Sequence, residues 1–216
     1  MSYVYILNNK ENEKIMIGSI ILIVLGVMAL IGIGSSAVKD FGVPVMALVL
    51  VFGAIVGLNF IPTMTLGYFS FSWGTALLFV MSFAMWLFRG TMKNRIMCLL
   101  TVIVLAGLLY GATRIGVFFN STLWSRVNVY YALMIGLLAF VATRNAKYTF
   151  IASTLSIMTA TLLTQIGGAI VLDEAYTPAI IAAAVGIVLY SLIVAFLPSR
   201  PTKTSYYFET ARMKDE

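Results

Sequence analysis

Histidine is absent from this chain, cysteine occurs once and acidic residues only eight times. Without histidine there is no histidine-ligated haem, no histidine-based zinc site and no Ser-His or Cys-His catalysis. The lone Cys98 excludes an internal disulfide and a thiolate metal cluster. It sits one turn inside an apolar block, which favours an inert buried thiol over a reactive one. The carboxylates, among them Asp40, Asp173 and Glu174, all fall outside the long apolar blocks. An intramembrane aspartyl protease, a metal-dependent lipid transferase and a proton-coupled carrier each call for membrane-embedded carboxylates. No glycine-rich phosphate loop is present either. The expectation is a chain that is not an enzyme and holds no cofactor or metal.

Charge of either sign is scarce, at 10% of residues, whereas 61% are hydrophobic and the mean hydropathy is +1.00. Soluble domains carry about a quarter charged residues, so the solvent here is lipid. In hydrocarbon every backbone amide needs an internal partner, which leaves helices or closed barrels. Barrel strands alternate over about ten residues. This chain instead has unbroken apolar blocks of 17 to 25 residues, enough to cross a core of ~30 Å at about 1.5 Å per residue.

Seven such blocks are present: Ile15 to Ile33, Val43 to Ile61, Phe71 to Phe88, Ile96 to Thr113, Val127 to Thr143, Tyr148 to Leu172, and a last one ending at Leu197. The fold class expected is an all-α polytopic membrane bundle of seven transmembrane helices over 15–197, between a polar amino-terminal segment 1–14 and a polar tail 198–216. A signal peptide competes for the first block, because Ser35, Ser36 and Ala37 resemble a cleavage site. The block is too long, and its flank too acidic with Glu11 and Glu13, so an uncleaved span is favoured. Lys39 and Asp40 form the first turn, Tyr68, Phe69 and Trp73 an interfacial aromatic anchor, and Thr177 with Pro178 the start of the seventh helix. Ten Lys and Arg fall on the side of the odd loops and the tail, against four on the other. The richer side is expected to be cytoplasmic, with the amino terminus outside an inner or plasma membrane. The two lysines flanking the first helix argue locally for the reverse. Despite the net charge of +6, no concentrated basic face points to nucleic acid.

Helices in lipid associate through close packing and interhelical hydrogen bonds. Small-residue pairs at a four-residue spacing, Gly53 with Gly57, Gly107 with Gly111 and Ala182 with Gly186, suit such packing. The sixth block carries Ser153, Ser156, Ala160, Thr164 and Gly167 beside Thr154, Thr161, Gln165 and Gly168. Two readings fit it: a central helix whose hydroxyls bond back to its own carbonyls, or the lining of a polar path with Gln165 as a solute contact. Asn59 and Gln165 need inward partners, since an unpaired carboxamide in hydrocarbon costs several kcal/mol. Arg114 belongs at the outer interface, snorkelling, with an anion contact as the alternative. Asn120, Ser121 and Thr122 spell a glycosylation sequon. Gly34, Asp40 and Pro44 match Gly168, Glu174 and Pro178 at a constant offset, a faint echo of an inverted repeat.

The residues singled out for a polar path or for packing are therefore Asn59, Arg114, Ser156, Thr164 and Gln165. The function expected is that of a non-catalytic subunit or assembly factor, meeting the bilayer and other membrane proteins or further copies of itself. A small channel or facilitator for a neutral or anionic solute is the alternative.

Overall fold

The structure is a computed structural model that describes residues 2–88, 91–114 and 121–196, with side chains at 15–88, 91–114 and 129–196. The tail 198–216, Arg89 and the sequon residue Asn120 lie outside the described residues. Among the described residues the chain is helical: α1 (Ser2–Ile31), α2 (Ser35–Phe41), α3 (Val45–Leu58), α4 (Trp73–Phe88), α5 (Met92–Arg114), α6 (Ser121–Thr143), α7 (Ala146–Thr164) and α8 (Asp173–Phe196). One small sheet interrupts them, with β1 (Met64–Leu66) antiparallel to β2 (Phe69–Phe71) and β3 (Ile170–Val171) parallel to β2.

By length and composition α5 and α8 suffice to cross a membrane, and α1 with α2 qualifies only as a bent pair counted together. That is fewer than the seven blocks led us to expect. The shortfall has several sources, one being that α1 and α6 are counted only over Ile15–Ile31 and Val129–Thr143, where their side chains are described. Turns and strands take residues from the ends of the apolar blocks, so α3 keeps 14 residues and α4 keeps 16. In α7, hydroxyls dilute the apolar content.

Several boundaries move for identifiable reasons. Lys39 and Asp40 do not form a simple turn. They lie on α2, which leaves α1 at 102° and buries Ala37, Val38 and Phe41 on one side. Phe41 meets the Phe150 ring edge-on at 5.7 Å. The connector after α3 folds as a hairpin whose two-residue turn places Gly67 first, at φ 60, where a side chain would be strained. The sixth block does not run to Leu172. Gln165 caps α7, Gly167 at φ 96 turns the backbone, and Ile170 and Leu172 donate to Tyr68 O and Ser70 O of the hairpin at 2.7 and 3.0 Å. Finally, α8 starts at Asp173 rather than at the expected Thr177 cap, so Pro178 lies inside the helix. The two segments of the apparent repeat thus differ, one containing a helix and the other a strand and a helix start.

Contacts at the ends show that α1 and α3 to α8 alternate in direction. At one end, Trp86 Nε1 of α4 donates to Arg95 O of α5 at 3.1 Å, Cys98 Sγ of α5 lies 3.9 Å from Tyr148 O of α7, and Asp40 Oδ2 accepts from Ala146 N at 3.3 Å. Lys39, Lys93, Arg95, Arg144 and Lys147 gather there, and we call it the basic end. At the opposite, hairpin end, the start of α8 meets the start of α4, and Gly18 of α1 lies against Tyr176 and Thr177.

The core is built around α7, which packs against α2, α4, α5, α6 and α8. Every residue from Tyr148 to Met158 is buried. Ser153 Oγ bonds back along the helix to Thr149 O at 2.8 Å and Ser156 Oγ to Ser153 O at 3.0 Å, as does Thr161 Oγ1 to Ile157 O at 3.0 Å one turn beyond, whereas Thr154 Oγ1 is buried without a partner. Thr164 and Gly167 are exposed, so the central position holds for about the first half of the expected helix and fails toward its end.

Glycine placement separates two kinds of crossing. A Cβ on Gly136 of α6 would strike the Ala182 backbone of α8, and one on Gly186 of α8 would strike Thr149 of α7. By contrast Gly53, Gly57, Gly107 and Gly111 have no described atom of another element within 4 Å of that position. Of the three small-residue pairs, only Ala182 with Gly186 packs against another helix among the described residues. Outside, α1 presents Ile17, Ile20, Ile23, Val24, Val27 and Leu30, and α5 presents Leu100, Ile103, Val104 and Leu108. An apolar surface on this scale is far beyond what a water-soluble monomer shows. Leu22, which an all-apolar first block suggests as lipid-facing, is instead 1% exposed.

Candidate functional site

Where α7 ends, the helices around it no longer close over it. A cavity of about 300 Å³ opens there among α5, α6, α7 and α8 at the hairpin end. Its inner wall is apolar, made by Leu109, Ala132, Ile135, Ile157 and Ala160. Thr113, Tyr131, Thr161, Thr164, Gln165 and Glu174 supply the polar lining. Both ends of the Gln165 carboxamide are engaged, with Oε1 accepting from Val171 N at 2.7 Å and Nε2 donating to Glu174 Oε2 at 3.0 Å. This side chain therefore ties the end of α7 to β3 and to the first turn of α8, and it holds the Glu174 carboxylate beside the cavity. On α7 the lining goes no deeper than Ile157, in the last turn of the buried stretch.

A second polar centre lies at the same end, between α1, α3, α4 and α8. Ser72 caps α4, its Oγ accepting from Thr75 N at 3.3 Å. The Asp173 carboxylate, at the head of α8, accepts from Ser72 N and from Thr75 Oγ1, both at 2.8 Å. Ser72 Oγ donates in turn to Asn59 Oδ1 at 2.8 Å, and the Tyr176 hydroxyl lies 3.3 Å from Ser19 Oγ. Asn59 Nδ2 is buried without a hydrogen-bond partner. Gly74 makes the junction possible, because a Cβ there would strike Asn59 Oδ1 and Ile55 O. The oxygens in this cluster are joined by short hydrogen bonds, so it fits a structural clasp of two helix starts rather than an ion cage. Among the described residues no three Cys, Asp or Glu side chains converge as metal ligands.

The chain matches no family model, and neither its sequence nor its fold matches a curated protein or a solved structure. Function has to be argued from these two centres and from the surface.

Of the five residues singled out above, the fold brings only Thr164 and Gln165 to one place, the cavity. Ser156 is enclosed in the core, and Asn59 belongs to the Asp173 clasp. Arg114 ends α5, exposed, with Nε donating to the Tyr110 hydroxyl at 3.1 Å and the guanidinium 5.2 Å from that ring's centre. Sequence reasoning missed Glu174 and Asp173 as participants. It placed both outside the apolar blocks, whereas Asp173 is only 8% exposed. The available signal was their position just ahead of a helix, where acidic groups meet the unpaired amides of helix starts.

Proposed function

We propose that this chain is a seven-span, non-catalytic membrane protein serving as a subunit or assembly factor of a membrane complex. The observation that carries the reading is the pair of glycine faces, Gly53 with Gly57 on α3 and Gly107 with Gly111 on α5, which no described residue of another helix approaches within 4 Å of a Cβ position. In lipid such faces let a second helix approach closely, and close packing is what drives association there. The partner is another membrane protein or a second copy. Changing Gly107 and Gly111 together to leucine should abolish the larger particle seen after gentle extraction, with the melting temperature of the isolated chain unchanged. A wild-type particle of monomer mass with nothing co-purifying would sink the reading.

Seven spans are supported by the alternating directions of α1 and α3 to α8, with the shorter helices met by local bilayer thinning. The low apolarity of α7 is no obstacle, since its hydroxyls from Thr149 to Ser156 are enclosed by neighbouring helices. In this arrangement the basic end is cytoplasmic. Reporter fusions at Thr91 and Ala146 should report cytoplasm and one at Gly67 the outer side. A cytoplasmic signal at Gly67 would overturn the topology.

A facilitator for a small neutral solute is the second reading, favoured by the cavity at Thr161, Thr164 and Gln165. It requires the cavity to open past Ile157 during transport. Glu174 at the lining turns this reading away from anions.

A further inference from the structure

The cavity at the hairpin end has a chemistry that an assembly role does not use. We propose that it binds a small organic ammonium compound, an aryl- or alkylamine whose cation meets Glu174 and whose apolar body enters between α5, α6, α7 and α8. The inference rests on neither the assembly reading nor the facilitator reading.

Size comes first. About 300 Å³ is roughly ten water volumes and lies at the small end of ligand pockets. A partner helix, about 10 Å across, does not fit, whereas a ring or short alkyl chain does. Most of the surface lining the cavity is apolar, with polar groups from six residues converging on it, the make-up of a ligand site. An apolar body placed against Leu109, Ile135 and Ile157 would displace water from surfaces that gain nothing from it.

Charge then selects the head group. Among the described residues Glu174 is the one charged group in the lining, and Gln165, itself pinned by Val171 N, fixes the carboxylate through Oε2. A carboxylate held in place before binding loses little freedom when a cation arrives. Glu174 and Pro178 of α8 both border the cavity, so an ammonium entering it would meet the carboxylate beside an apolar ring. Tyr131 lines the same space and provides an aromatic ring of the kind that attracts such cations. A carboxylate ligand would meet Glu174 as a like charge, and a neutral one would leave its charge unused.

The test uses the full chain in nanodiscs, with empty nanodiscs as the blank for partitioning into lipid. The probe is 4-fluorophenethylammonium, followed by fluorine NMR line broadening, against 2-(4-fluorophenyl)ethanol and 3-(4-fluorophenyl)propionate. The amine should bind saturably, at least tenfold more tightly than the alcohol, and the propionate should not bind. Glu174→Gln, a change at an exposed residue, should weaken the amine at least tenfold and leave the alcohol unaffected. Thr164→Trp, also at an exposed position, should fill the cavity and abolish binding of both. Absence of saturable amine binding would overturn the proposal. So would equal binding of amine and alcohol, or amine binding that survives Glu174→Gln.

Discussion

Replacing Gly136 with leucine is expected to destabilise the bundle by more than about 3 kcal/mol, above the usual range for overpacked cores. The excess follows from what the new side chain meets. At most overpacked sites a neighbouring side chain yields by changing rotamer. Here the obstacle is the Ala182 backbone of α8, and α8 is held on its other sides by α1, α2 and α7. The same crossing continues at Gly186, where a Cβ would strike Thr149. That threonine has little freedom, because its Oγ1 donates to Asn145 O at 2.8 Å and lies 2.7 Å from Thr143 Oγ1. Three helices therefore meet around two glycines, and bulk at either separates α6 or α7 from α8. Unfolding by sodium dodecyl sulfate in mixed micelles, followed by circular dichroism, measures the effect. Gly107→Leu is the control, expected to change the midpoint little because that position is open. A Gly136→Leu protein that unfolds with the wild type would remove close α6–α8 contact from the account.

That pair of substitutions also shows where the sequence stops being legible. Gly107 and Gly136 are both glycines in the middle of long apolar helices, and nothing in their neighbours' identities says which one faces protein. In a soluble helix polar residues mark the outer face. In lipid both faces are apolar, so helix existence is readable and helix rotation is not. Leu22 illustrates this. It lies between Ile20 and Ile23, which are half exposed, yet is itself buried. Where polar residues do occur inside a block, rotation and depth become readable. The hydroxyls of Ser153 and Ser156 correctly mark α7 as the enclosed helix.

Helix ends were harder to read for a different reason. The stop after Thr164 is announced by Gly167 and Gly168, but Ile170 and Val171 continue the apolar run. Their pairing with Phe69 and Ser70 comes from a segment some hundred residues earlier. No local pattern reports a contact of that range. The hairpin had a local signal, with Gly67 and Tyr68 as a two-residue turn between apolar segments, and it was hidden by the expectation that the connector serves only as an aromatic anchor. Within the candidate site, Gln165 and Thr164 were found because polar groups in apolar sequence stand out. Glu174 was passed over because acidic residues at helix starts are ordinary.

Asp173→Ala is expected to cost about 3 kcal/mol and to loosen the hairpin end first. The carboxylate bridges the starts of two helices, accepting from Ser72 N and Thr75 Oγ1 of the α4 cap while standing in the first turn of α8. Removing it leaves the Ser72 amide buried without an acceptor, a loss of about 1 to 3 kcal/mol. The Thr75 hydroxyl is better placed, since Ser72 Oγ lies 2.8 Å away and can take its proton. To the orphaned amide is added the lost attraction between a negative charge and two helix starts, up to ~2 kcal/mol in partly buried settings. Asp173→Asn, oriented with its oxygen toward Ser72 N, keeps the acceptor but not the charge and should cost about half as much. The local consequence follows from geometry: β3 ends two residues before Asp173, so the amides of Ile170 and Leu172, which donate to Tyr68 O and Ser70 O, lose the anchor that holds them against β2. Hydrogen exchange at those two amides should accelerate at least tenfold in Asp173→Ala, while exchange in the buried stretch Tyr148–Met158 rises only as far as the global loss of stability requires. Unchanged exchange at Ile170 and Leu172, with an unchanged unfolding midpoint, would show that the clasp does not hold the hairpin, and that the close approach of Gly74 to Asn59 and Ile55 suffices to join α3 and α4 at that end.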